Sequence, residues 1–155
     1  MKKLILATRG SLLALKQANI VKELLEQRGV ETEILETTTK GDKDRIHALV
    51  RMGGNGVFIR EIEERLLTHE ADIAVHSGKD LPYELAKGLV IACTPPAADP
   101  RDCLLLRKGH SLTKDSVIGT GSPRRMSEYR AIYGDAIFKH IRGNVTTRLR
   151  KLREG

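Results

Sequence analysis

The chain predicts an α/β protein. Three observations carry that reading. Short β-branched or apolar runs alternate with stretches whose apolar residues recur at helical spacing. Glycine, serine and threonine cluster where the strand-like runs end, as they do in strand-to-helix loops. The 155 residues, 40% hydrophobic and 30% charged, suit a soluble chain that buries a core without disulfide or metal staples.

The elements follow in order. Lys3–Thr8 is a buried strand that feeds a helix from Ser11 to Arg28. Ser11 is its N-cap and Gly29 its C-terminal stop, while Leu13, Ala14, Ala18, Val21, Leu24 and Leu25 form its apolar stripe. Val30–Thr38 alternates and is β-branched, so it is a second strand. Thr39–Gly56 is long, polar and rich in glycine, which marks a functional loop rather than a connector. Val57–His69 carries Phe58, Ile59, Ile62, Leu66 and Leu67 on a helical stripe. Ala71–Val75 and Leu89–Thr94 read as strands, the latter closed by Pro95-Pro96. Pro95–Pro100 is the expected domain boundary. Beyond it, Asp102–Leu106 and Ser116–Ile118 read as strands, Ser122 and Pro123 open a helix, Ala136–His140 is a strand, and a last helix follows Asn144.

Composition narrows the function. The aromatics are three tyrosines and two phenylalanines with no tryptophan, too few to build a platform that stacks successive bases. The apolar runs Leu4–Ala7 and Leu89–Cys93 are far too short to span a bilayer. Lys2-Lys3 before an apolar run resembles a signal-peptide start, but the run ends at Thr8-Arg9, so a strand is the better reading. Cys93 and Cys103 form no disulfide framework; both are expected as buried thiols in strands, and the cytoplasm is the expected compartment.

The net charge of +7 is unevenly placed. Residues 124–155 hold nine basic and three acidic side chains, and seven of the nine are arginines. The planar guanidinium fork matches pairs of carboxylate or phosphate oxygens, so an anionic ligand is favoured. A solvated basic helix accounts equally well for Arg150, Lys151 and Arg153.

In open α/β sheets, ligands sit beyond the carboxyl ends of the strands, near helix N-termini. Thr8–Ser11, His76–Asp80 and Gly119–Arg125 fall at such ends, and Arg142-Gly143-Asn144 follows another strand. Together they suggest an anion held at several points. Asp80 stands out as an acid among cations. It would repel an anion but stabilise a cation that develops during a reaction, which suits a ligand with acidic arms and a centre that becomes positive. A turn before Pro82 or a pair with Lys79 would explain Asp80 as well. His69 and His76 have no second ligand at metal spacing, so no metal is expected. Gly53–Gly56 lacks the Lys-Ser/Thr of a phosphate-binding loop and reads as a flap.

The stretches ATRGSLLALKQA (7–18), TTKGD (38–42), GGNGVFIREIE (53–63), ADIAVHSGKDLP (71–82), DPRDCLL (99–105), IGTGSPRR (118–125) and RGNVTTRLRKL (142–152) stand in one order along the chain. As a set the sequence resembles the hydroxymethylbilane synthases, also called porphobilinogen deaminases. The resemblance implies a transferase that joins four porphobilinogen units head to tail with loss of ammonia, in tetrapyrrole (haem) biosynthesis. It implies a doubly wound mixed sheet of the type II periplasmic-binding-protein kind and a covalently held dipyrromethane cofactor. Asp80 matches the family's catalytic aspartate, placed to stabilise the azafulvenium cation left when ammonia departs. Arg9, Ser11, Arg124, Arg125, Arg142 and Arg148 match residues that bind substrate and cofactor carboxylates, and Ser77, Lys79 and Ser122 match further cofactor contacts. Gly78 stands where the family usually has methionine, Asn55 where it has a flap lysine, and Gly121 and Pro123 where serine and leucine are common. Arg51 aligns with another position that is usually lysine.

The expected domains are residues 1–95, with the flap at 39–56 and a catalytic loop at 76–82, then residues 96–155 as the first part of an arginine-rich second domain. The family's third domain, which carries the cofactor's cysteine, is not expected here, and neither Cys93 nor Cys103 inherits that role. An unfinished second domain would favour self-association or a complementary fragment. The expected ligand is porphobilinogen, with no nucleic acid and no membrane as partner. The competing reading is a non-catalytic anion-binding module, since the same architecture serves solute receptors.

Overall fold

The computed structural model describes residues 3–37 and 59–155. The expected flap, with Arg51 and Asn55, lies outside the described residues. The chain divides into two compact units, Met1–Ala98 and Asp99–Gly155.

In the first unit, β1 (Leu4–Arg9) leads into α1 (Leu12–Glu26), β2 (Thr32–Thr37), α2 (Arg60–Leu67) and β3 (Ile73–Ala74). The sheet order is β2-β1-β3 and both pairings are parallel, with Leu4 opposite Thr32 and Leu6 opposite Ile73. β1 is central because its residues can be buried on both faces, and Leu6, Ala7 and Thr8 are fully buried. Ala7, Ile62 and Ala71 form the core, with Ile5, Leu35, Leu66 and Ala74 packed on it. Full burial of a side chain such as Leu6 or Ile62 contributes about 1.5–3 kcal/mol. α1 starts where expected, with Ser11 Oγ accepting from the Ala14 amide at 3.2 Å. Its stripe buries Ala18, but Leu13, expected on that face, is 50% exposed. After β3, a short 3₁₀ turn spans Gly78–Asp80.

In the second unit, β4 (Val117–Gly119) pairs in parallel with β5 (Ile137–Lys139), so Gly119 lies opposite Lys139. α3 (Pro123–Tyr133) connects them and α4 (Val145–Glu154) follows. Tyr129 meets Phe138 edge-on with ring centroids 5.8 Å apart, and the Arg130 guanidinium lies 4.9 Å from the Phe138 ring centre. These contacts seat α3 on β5.

Two expectations need correction. Leu89–Thr94 and Asp102–Leu106 form no strand. A strand exists only with a ladder partner, and none of the described residues pairs with these stretches; Val90 is 82% exposed. Cys93 and Cys103 are accordingly exposed rather than buried. Every described strand pair is parallel, in keeping with the α/β class. No described helix is long and apolar enough to cross a membrane.

Candidate functional site

The candidate residues of the first unit gather at the carboxyl ends of β1 and β3. Because these strands are adjacent and parallel, Arg9 and Ser11 leave the sheet beside the loop that follows β3. Buried Thr8 spans the junction, with its Oγ1 3.4 Å from the carbonyls of both Ala14 and Val75. Ser77 Oγ donates to Gln17 Oε1 at 2.9 Å, which ties the loop to α1. The Asp80 amide donates to the Ser77 carbonyl at 2.9 Å, closing the turn that presents the carboxylate. Asp80 is partly buried and Lys79 is exposed.

His76 sits electrostatically between the two strand ends. Burial lowers its pKa below the ordinary histidine value, the Asp80 carboxylate pulls it back up, and the Arg9 guanidinium lowers it further. Both charges therefore act on one imidazole, from opposite directions. At Gly10 the Glu36 side chain lies over bare backbone: a Cβ here would stand 2.0 Å from Glu36 Oε1, which would have to swing aside.

The second unit has its own strand-end cluster. Ser122 caps α3, its Oγ accepting from the Arg125 amide at 3.4 Å. Arg124 Nη2 donates to Asp102 Oδ2 at 2.6 Å, and Arg125 Nη2 pairs with Asp102 Oδ1 at 2.8 Å. Arg124 Nη1 also reaches Glu128, at 2.7 Å. The hydrogen bond from Arg124, aided by Arg125, holds the Asp102 carboxyl below the usual carboxylate range.

At the neighbouring strand end, Arg142 Nε donates to His140 Nε2 at 3.1 Å, Arg148 Nε to the Gly143 carbonyl at 2.8 Å, and Lys151 Nζ to the Arg142 carbonyl at 3.3 Å. The two loops touch at Gly121, where a Cβ would lie 2.6 Å from the His140 ring. Gly121 in place of the family's common serine thus leaves room for that imidazole. Asn144 caps α4, with Oδ1 accepting from the Thr147 amide at 2.9 Å.

Sequence reasoning placed His76 in the candidate loop without a role, and missed Glu36 and Asp102 as neighbours of the site. Asp102 stood in a quoted stretch, DPRDCLL, and its proximity to Arg125 could have been suspected only from topology. Among the described residues no group of acids, histidines and cysteines could hold a metal ion.

Each unit is a parallel α/β unit with cations and hydroxyls beyond its strand ends, the position at which open α/β sheets bind ligands. Comparison with known proteins gives the family. The family model described as porphobilinogen deaminase, dipyromethane cofactor binding domain, matches residues 4–155. A porphobilinogen deaminase of Sulfurimonas denitrificans is 46% identical over 160 residues, covering 100% of this chain and 51% of that protein. Those of Bacillus thuringiensis and Bacillus cereus are each 45% identical over 159 residues, covering 99% of this chain and 52% of theirs. The chain belongs to the porphobilinogen deaminase family, and it spans about half the length of these curated relatives.

Proposed function

We propose that this chain supplies the N-terminal part of a porphobilinogen deaminase acting in the cytoplasm. It is a transferase that condenses four porphobilinogen units with loss of ammonia. What supports the reading above all is the family match over residues 4–155. The two units would correspond to a first domain and the beginning of a second, within a doubly wound fold of the type II periplasmic-binding-protein kind.

The donor set fits the ligands. Porphobilinogen and a dipyrromethane both carry carboxylate arms, and the strand-end loops offer guanidinium, ammonium, hydroxyl and helix N-terminal amide donors. Arg9 and Ser11 in the first unit, and Arg124, Arg125, Arg142 and Arg148 in the second, would bind those arms. Ser77, Lys79 and Ser122 would add contacts to the dipyrromethane, which supplies the chain end that receives each new unit. Asp80 is carried on the short turn closed by its own amide on the Ser77 carbonyl, and its charge acts on His76. A preorganised carboxylate there stabilises the cation that forms as ammonia leaves, without reorganising at the moment of reaction.

The test is an Asp80→Asn substitution in a full-length family member carrying residues 1–155 of this chain. Porphobilinogen consumption and ammonia release are measured beside calorimetric binding. The expected loss is about 10²–10³-fold in kcat, as for other single preorganised groups, with binding nearly unchanged. Retained turnover would overturn the role of Asp80, and failure to bind porphobilinogen would overturn the reading as a whole.

A further inference from the structure

The arginine pair that opens α3 is not an open anion receptor. Arg124 has both terminal nitrogens on protein carboxylates, Nη2 on Asp102 and Nη1 on Glu128. Arg125 places its Nη2 on the other oxygen of the same aspartate, at 2.8 Å. Asp102 therefore binds the pair as a ligand's carboxylate would, one oxygen to each guanidinium. Arg124, Arg125, Asp102 and Glu128 together carry no net charge, so their long-range pull on an acidic molecule is small. Solvent reaches all of them: the Asp102 side chain is 31% exposed, that of Arg124 61% and that of Arg125 49%. Asp102 also lies in a stretch with no helix or strand, so its carboxylate can withdraw without breaking a ladder.

We propose that Asp102 competes with the ligand's carboxylate for Arg124 and Arg125, and so sets the affinity of this part of the site. The inference rests on the reading of these arginines as carboxylate binders and goes beyond it. An acidic arm must displace Asp102 before it can bridge the pair. A weakly held or singly charged molecule then gains little, because it exchanges one carboxylate for another. A molecule with further acidic arms gains at its other contacts and pulls the exchange through. Asp102 thus acts as a specificity-determining residue against simple carboxylates.

The experiment compares the chain with its Asp102→Asn variant, an isostere that keeps shape and one acceptor but loses the charge. Porphobilinogen and acetate are titrated into each by calorimetry. Removing the competitor should tighten porphobilinogen binding about two- to fivefold, the range open to a solvent-screened pair, and should raise acetate affinity by at least as much. Unchanged or weaker binding in the variant, with the parent chain still binding porphobilinogen, overturns the competition and leaves the carboxylate-binding reading in place. Porphobilinogen binding by neither chain overturns both. A second measurement needs no variant: the ¹³C carboxyl resonance of Asp102 in the parent chain should move as porphobilinogen is added. A resonance that stays fixed while the ligand binds would also refute the proposal.

Discussion

Asn144 is the cap on which the Arg142–Arg148 corner depends, and its replacement by alanine gives a prediction that can be worked from the structure. Its Oδ1 accepts from the Thr147 amide at 2.9 Å and from the hydroxyls of Thr146 and Thr147, both at 2.8 Å. The two hydroxyls are solvent-accessible, so water replaces their bonds at little cost. The amide is an orphan donor of the first helical turn, and loss of its cap costs about 1 kcal/mol. The preceding residue reinforces the turn. Gly143 has φ +115°, and a Cβ there would stand 2.6 Å from Thr147 Cγ2, so this close entry into α4 requires glycine. Opening of the first turn of α4 should therefore become easier by about fivefold, read as faster amide hydrogen exchange at Thr147. Arg148 gains its position from the same turn through the Gly143 carbonyl, so carboxylate binding should weaken in parallel. Asn144→Asp and Asn144→Ser, which keep a capping oxygen, should restore exchange to nearly the parent rate. Unchanged exchange in Asn144→Ala, or equal loss in Asn144→Ser, would refute the capping account.

Two further predictions concern single side chains. Burial lowers the His76 pKa below 6.5 despite the opposing pull of Asp80, so between the folded and unfolded values the unfolded chain binds the extra proton. Stability is then fully present above about pH 6.5 and falls as pH drops through the lowered value. His76→Gln should flatten that part of the urea-midpoint profile, and a parent profile that instead rises on acidification would reverse the assignment. Cys93 and Cys103 are both exposed, so a thiol reagent should label two sites in the native chain at the rate of an unstructured peptide. Labelling only after denaturation would return them to the buried state that their apolar neighbours suggest.

Much of the fold was readable because it is local. The caps at Ser11 and Ser122 and the proline at the start of α3 announce helix starts through hydrogen bonds made within three residues. The strand-end position of Arg9, Asp80, Arg124 and Arg142 follows from the alternation of elements alone. What was not readable depends on partners distant in sequence. Leu89–Thr94 and Asp102–Leu106 have the composition of strands, yet none of the described residues pairs with them. The exposure of the two cysteines follows from the same fact. Asp102 lies 22 residues from Arg124, and no periodicity relates them. Likewise the approach of Glu36 to Gly10 depends on the register that sets Thr8 opposite Glu36.

The arginine excess also has a different meaning in three dimensions from the one it has in a count. Arg124, Arg125, Arg130 and Arg150 each lie beside a carboxylate of their own unit, and exposed pairs of this kind add little stability while cancelling much of the field. The acceptors of Arg142 and Arg148 are instead an imidazole nitrogen and a backbone carbonyl. Lys151 joins them through the carbonyl of Arg142. Three cations thus converge on one turn, at the N-terminus of α4, with their charge opposed by neither acceptor. An acidic arm approaching the second unit should feel this corner first, and the pair at the head of α3 only once Asp102 yields. The order of engagement is therefore set by which guanidiniums the protein has already neutralised, and substitution of Arg142 should slow association more than substitution of Arg124 does.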